Sequence, residues 1–329
     1  MAHQRNNTLD ILKLLASYMV VFIHVLFYGK IGEAFDALAR FAVPLFFVVS
    51  GFYSYEITPK QIKKRIIHIT QLLFLAVTVY ILWKVIPLLV RQDLPGLTRY
   101  FCQYLRIKSI LKLLVLNIPL FTTHLWYLFA ILYVYIIYYF VVVFHTPKRF
   151  ILPTSVLLLA IHIVLGEGLS VVSIAVPTPV VRNFALMGIP FFGLGLLANT
   201  YKQKLLSIPN QAIVILLMIG SLEAVISRYF FGKNELYVGS LFALLAFTVI
   251  FLKFPNIEYP PALISLASCS TYIYIFHPIV SEIMEKIYPI LDLELGSSVF
   301  LQMIHPLLVC VMSTSLAYVL NKITNRLKV

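Results

Sequence analysis

Long apolar runs separated by short polar stretches make up most of the chain, and windows of about 19 residues mark ten candidate membrane-crossing helices. They fall at 9–28, 36–55, 66–90, 124–144, 150–165, 183–200, 211–229, 236–253, 262–282 and 299–321. Most approach the roughly 20 residues needed to cross a hydrocarbon core of about 30 Å, the fifth being short and the third long. The pattern predicts an all-α polytopic membrane protein with about ten transmembrane helices in a single bundle around an internal polar cavity. One integral-membrane domain over 1–329, with no fused soluble domain, is expected. The first run carries Asp10, Lys13 and His24 and lacks a small-residue cleavage site, so it is expected to remain as a span rather than be removed as a signal peptide. The connection 91–121 differs. There Arg91, Arg99, Arg106, Lys108 and Lys112 alternate at helical spacing with Tyr100, Phe101, Tyr104, Leu105, Ile107, Ile110 and Leu111, which predicts an amphipathic helix lying in the membrane interface.

Composition narrows the class further. Of 329 residues 61% are hydrophobic and 12% charged, and the mean hydropathy is +0.93, which excludes a soluble enzyme. The formal net charge of +13 resides in short segments between apolar runs, so membrane lipids rather than nucleic acid are the expected surroundings. With the N-terminus inside, the inner segments hold Arg5, Lys60, Lys63, Lys64, Arg65, Lys148, Arg149, Lys202, Lys204, Lys253, Lys322, Arg326 and Lys328. The outer segments hold Lys30, Arg182, Arg228, Lys233, Lys286 and the exceptional 91–121 connection. This distribution places both termini in the cytoplasm. Cys102, Cys269 and Cys310 are widely spaced and apolar-flanked, and they read as packing residues. Oligomeric state is not legible.

Ionisable groups inside spans cost roughly 2.5 to 3.5 kcal/mol each at the bilayer centre, so each calls for a partner or a function. The step from Lys13 to His24 is close to three whole turns at about 3.6 residues per turn, which puts both on one stripe with Ser17 and Val20. Lys13 then lies about 16 Å below His24 along the helix. Asp10 and Lys13 also satisfy the spacing of a structural i, i+3 pair, whereas His24 is too deep to snorkel. Depth counting brings Arg40, His124, Trp126, Arg182, His277 and His305 into the same outer half of the bilayer. His305, His162 and His145 taken singly read as satisfied core or interfacial histidines, and Glu223 stays open between the two readings. Lys60, Lys63, Lys64, Arg65 and His68, at the start of the third span, serve either as positive-inside charge or as a holder for a phosphorylated donor, a coenzyme or nucleotide. There is no Gly-rich phosphate loop, Cys pair or nucleophile elbow, and no metal is expected. Gly51, Gly188, Gly193 and Gly195 suggest close helix packing.

Lys13, ten intervening residues and His24 form a basic-residue-to-histidine spacing, preceded by Leu9-Asp10 and followed by Arg40-Phe41-Ala42-Val43-Pro44-Leu45-Phe46-Phe47 and Ser50-Gly51-Phe52. With Lys64-Arg65, His124-Leu125-Trp126-Tyr127-Leu128 and Ser270-Thr271-Tyr272-Ile273-Tyr274-Ile275-Phe276-His277-Pro278, the chain resembles the integral-membrane acyltransferase family 3 over essentially its whole length. This family comprises bacterial membrane O-acetyltransferases acting on surface carbohydrates. The resemblance implies transfer of an acetyl or other acyl group from cytoplasmic acyl-CoA to a hydroxyl of an envelope glycan or lipid-linked saccharide, in the bacterial inner membrane. It makes His24 the catalytic histidine, Lys13 its basic partner in the same helix, and Arg65 part of the site for the coenzyme's phosphates. Lys63, Lys64 and His68 join Arg65 as donor-site candidates. Asp10 and Arg40 join His24 and Lys13, with Arg40 either facing the developing oxyanion or holding the acceptor. His124, Trp126, Arg182, His277 and Tyr274 are the acceptor-site candidates. Two departures stand out: lysine at position 13, where the family often has arginine, and His68 where a second arginine is common. His24 must be neutral to act as a base, and burial together with nearby Arg40 is expected to keep it so. The alternative is a transporter or flippase of a lipid-linked sugar or small solute, with His24 relaying protons.

Overall fold

The computed structural model describes residues 6–327, and no strand occurs among them. The principal helices in chain order are α1 Asn7–His24, α2 Gly29–Leu38, α3 Ala42–Phe52, α4 Pro59–Val90, α5 Leu94–Tyr104, α6 Ile107–Leu116 and α7 Trp126–Val143, followed by α8 Ile151–Ile163, α9 Ile189–Thr200, α10 Asn210–Phe231, α11 Val238–Lys253, α12 Pro261–Ala267, α13 Ser270–Ile287 and α14 Val299–Leu327. Among the described residues, seven helical stretches are long and apolar enough to cross a membrane, and the α12–α13 pair, bent by 67°, is an eighth if it counts as one span. The expected sixth and eighth spans are the shorter apolar helices Phe184–Thr200 and Val238–Lys253. The polytopic all-α class therefore holds.

Local signals explain the boundaries. Asn6 caps α1 by accepting from the Leu9 amide at 2.9 Å. Thr58 and Gln61 form a reciprocal capping box ahead of Pro59, so α4 begins a full two turns before the apolar run. Lys60 to His68 consequently lie on a helix, not in a loop. The 91–121 connection is two helices rather than one. Asp93 caps α5, the chain breaks at Leu105–Arg106, and Asn117 ends α6 in the left-handed conformation.

The chain divides into two compact units, one formed by residues up to 46, 166–174 and 201 onward, the other by 47–165 and 175–200. In the first, α1 packs against α13 and α14 around Leu14, Val21, Phe22, Ile273, Val280 and Val309. The Ser17 hydroxyl donates to the Ser270 carbonyl at 3.0 Å, and α10 packs along α11. In the second, α4 packs on α7 and α8 on α9. The glycines expected at close packing sit there. A Cβ on Gly51 would collide with the Phe192 carbonyl, one on Gly195 with the Val48 carbonyl, and one on Gly193 with the Ser155 hydroxyl. Of the cations assigned to the inner side, Arg5 and Lys328 lie outside the described residues, as do the side chains of Lys148 and Arg326.

Candidate functional site

The stripe along α1 forms in the first unit. Lys13 Nζ lies 3.0 Å from Asp10 Oδ1, both partly exposed, so the i, i+3 pair is made. One turn on, Ser17 and Val20 are buried. His24 closes the helix and is exposed, which corrects the expectation that burial holds it neutral. The cause is its place at the helix end: His24 shares a stripe with the buried Ser17 and Val20, but it is the last residue of α1, and the chain leaves the helix at Val25 in an extended conformation. The His24 ring stands 5.3 Å from the ring of His277, tilted by 39°. His277 is fully buried on α13, with its Nδ1 3.1 Å from the Ile273 carbonyl. Tyr274, also buried, has its ring 6.5 Å from that of His277.

Arg40 occupies the turn between α2 and α3 and is buried with Asp36, while Glu235 is partly buried. One terminal nitrogen is 2.5 Å from Asp36 and the other 3.1 Å from Glu235. Arg228 and Lys233 approach the same Asp36 carboxylate at 3.7 and 3.8 Å. Three cations thus share two carboxylates. Beside them Tyr237 is fully buried, its hydroxyl donating to the Gly232 carbonyl and accepting from the Asn234 amide.

Other polar residues of this unit have structural work. Glu223 accepts from Ser227 at 2.8 Å and from the Gly239 amide, and Glu167 accepts from the Val238 amide at 2.7 Å. Both carboxyl groups therefore close the N-terminus of α11, which settles Glu223 as a cap. His305 lies 3.2 Å from the Ser281 hydroxyl and 2.8 Å from the Tyr288 hydroxyl, as a core histidine would.

In the second unit Lys63, Lys64 and His68 are exposed along the first turns of α4. Arg65 is not so placed. Its guanidinium donates to the Ser54 hydroxyl and the Tyr53 carbonyl at 2.7 Å each, and to the Ser50 carbonyl at 3.5 Å, and it lies 5.9 Å from the Tyr135 ring centre. It closes the carbonyl end of α3. His124 is buried, with Nδ1 2.6 Å from the Thr122 hydroxyl and its ring 4.7 Å from that of Tyr80. Arg182 stacks over Trp126 at 5.6 Å. The structure thus assembles His124, Trp126 and Arg182 in one unit and His24, His277 and Tyr274 in the other. Sequence reasoning missed Asp36, Glu235, Tyr80 and Thr122 as partners. Asp36 is four residues before Arg40, a spacing that signals a pair, whereas nothing local pointed to Tyr80.

Apolar spans that carry paired and stacked ionisable groups define a polytopic membrane protein. The sequence model of acyltransferase family 3, an acyltransferase domain, matches residues 6–322. The chain therefore belongs to this family and is a multi-pass membrane acyltransferase. No curated protein and no solved structure matches it.

Proposed function

We propose that the protein transfers an acetyl group from cytoplasmic acetyl-CoA to a hydroxyl of an envelope glycan or lipid-linked saccharide, with His24 as the general base. The observation that carries this reading is an exposed imidazole at the end of α1, set against the buried ring of His277, in a chain of an acyltransferase family. An alcohol is a poor nucleophile near neutral pH. A ring nitrogen of His24 takes the hydroxyl proton as the oxygen attacks the thioester carbonyl, the C–S bond of the tetrahedral intermediate breaks, and the leaving coenzyme thiolate takes the proton back.

The exposed Lys63 and Lys64 suit the donor's phosphates as point charges, with His68 exposed beside them as a further hydrogen-bonding group, while Arg65 supports them by holding the end of α3. The Asp10–Lys13 pair, about 16 Å along α1 from His24, meets the donor's polar portion. Both terminal nitrogens of Arg40 are engaged by carboxylates, so Arg40 anchors the cluster and Lys233, its more exposed member, is the part that can meet an acceptor. His124, Trp126, Arg182 and Tyr274 complete the acceptor contacts. The family makes transport the less favoured reading. The protein works in a bacterial inner membrane with both termini cytoplasmic.

The test is transfer or slow hydrolysis of labelled acetyl-CoA by purified protein. His24→Ala should lower the rate by roughly 100-fold to 10,000-fold, the usual share of a general base, while the protein stays inserted and still binds the donor. Retained activity would remove His24 from the mechanism. Mass spectrometry of envelope glycans with and without the gene, seeking an acetyl-sized difference, identifies the acceptor.

A further inference from the structure

His277 is followed by Pro278 inside α13. Proline has no amide hydrogen, so the carbonyl four residues earlier, that of Tyr274, receives no helix hydrogen bond from it. The side chain of His277 turns back toward this opening, with Nδ1 3.1 Å from the Ile273 carbonyl. A carbonyl oxygen only accepts, so Nδ1 carries the hydrogen. In the neutral ring Nε2 is then the acceptor. The sequence His-Pro thereby fixes the tautomer of a fully buried imidazole.

The neighbouring ring is that of His24, 5.3 Å between centres and tilted by 39°. Two imidazoles that meet edge to edge at hydrogen-bond length have about this separation. We propose that His277 is a positioning residue: in the working enzyme its Nε2 accepts the N–H of His24, which fixes the tautomer of His24 and turns the other ring nitrogen toward the acceptor hydroxyl. This inference rests on His24 being the base. A neutral acceptor suits the place better than a carboxylate would, because an ionised acid would be costly on so buried a face.

The test is a set of variants in the purified protein, assayed with acetyl-CoA. Glutamine can place its side-chain oxygen where Nε2 stands, asparagine cannot, and leucine offers no acceptor. His277→Gln should keep kcat within about tenfold of wild type, whereas His277→Leu and His277→Asn should lower it by on the order of 100-fold or more, with KM for acetyl-CoA changed by less than about threefold. Adding His277→Leu to His24→Ala should cost little beyond His24→Ala alone, because residues acting as a unit are not additive. A merely structural histidine would give losses that multiply, and glutamine would not rescue. Equal activities of the glutamine and asparagine variants, multiplying losses, or a wild-type kcat in a folded leucine variant would each overturn the proposal. If His277→Leu fails to insert, the glutamine and asparagine pair decides alone. If His24→Ala retains activity, the assignment of the base has failed and this inference falls with it; if His24→Ala is inactive and His277→Leu is not, only the role of His277 is wrong.

Discussion

A buried guanidinium without counter-charges is among the most costly groups a membrane bundle could hold, and Arg40 avoids this through Asp36 and Glu235. Asp36 is 1% exposed at its side chain and meets three cations, so its removal leaves positive charge uncompensated. Asp36→Ala is expected to destabilise the protein by about 3 to 5 kcal/mol, the range for breaking a buried pair. The measurement is thermal unfolding in detergent. Replacing both partners, as in Asp36→Leu with Arg40→Met, should recover most of the loss, and a double variant as unstable as Asp36→Ala would show that the pair is not the cause. This cluster was half legible. The register of α1 and the i, i+4 spacing of Asp36 and Arg40 follow from helical geometry. The contribution of Glu235 does not, because it arrives from 195 residues away. The exposure of His24 was not legible either: a stripe of polar residues states which positions share a face, not which neighbour leaves that face uncovered.

Elements show the same division between local and remote causes. The capping box, the proline entering α4 and the asparagine ending α6 are all written in adjacent residues, and the glycines of α3 and α9 announce close packing by their lack of a side chain. The assignment of Arg65 to the end of α3 was not announced, since in sequence it belongs to the same basic stretch as Lys63 and Lys64. The two roles separate experimentally. Arg65→Gln removes hydrogen bonds to two backbone carbonyls and a hydroxyl, and should lower stability by about 1 to 3 kcal/mol while leaving KM for acetyl-CoA within about twofold. Lys63→Gln with Lys64→Gln should leave the unfolding temperature alone and raise KM several-fold, an effect that fades in high salt as screening replaces the lost charge. A rise in KM confined to Arg65→Gln would reverse the assignment. Gly51→Ala should abolish accumulation of folded protein in membranes, because its Cβ would meet backbone rather than a side chain that can rotate away.

At the scale of the whole molecule, one native residue can report which side of the membrane the connections face. Cys269 and Cys310 are buried while Cys102 is exposed, contrary to the reading of all three as packing residues. The difference comes from the amphipathic character of α5. At about 100° per residue, Leu97, Tyr100, Phe101 and Tyr104 lie on one side and Arg99, Cys102 and Gln103 on the other. The rings of Tyr100, Phe101 and Tyr104 gather around Phe121. This covers the apolar side and leaves Cys102 exposed on the side that carries Arg99. If both termini are cytoplasmic, as proposed, the 91–121 connection faces the outside despite its positive charge, an exception the positive-inside rule tolerates only if flanking spans fix the orientation. A membrane-impermeant maleimide added to intact spheroplasts should therefore label the wild-type protein and not Cys102→Ser. Labelling that requires permeabilised membranes would put the connection in the cytoplasm and invert the orientation of the chain. The basic turns of α4 would then face outward, away from any cytoplasmic thioester, so a single thiol tests whether the donor can reach the charges proposed to hold it.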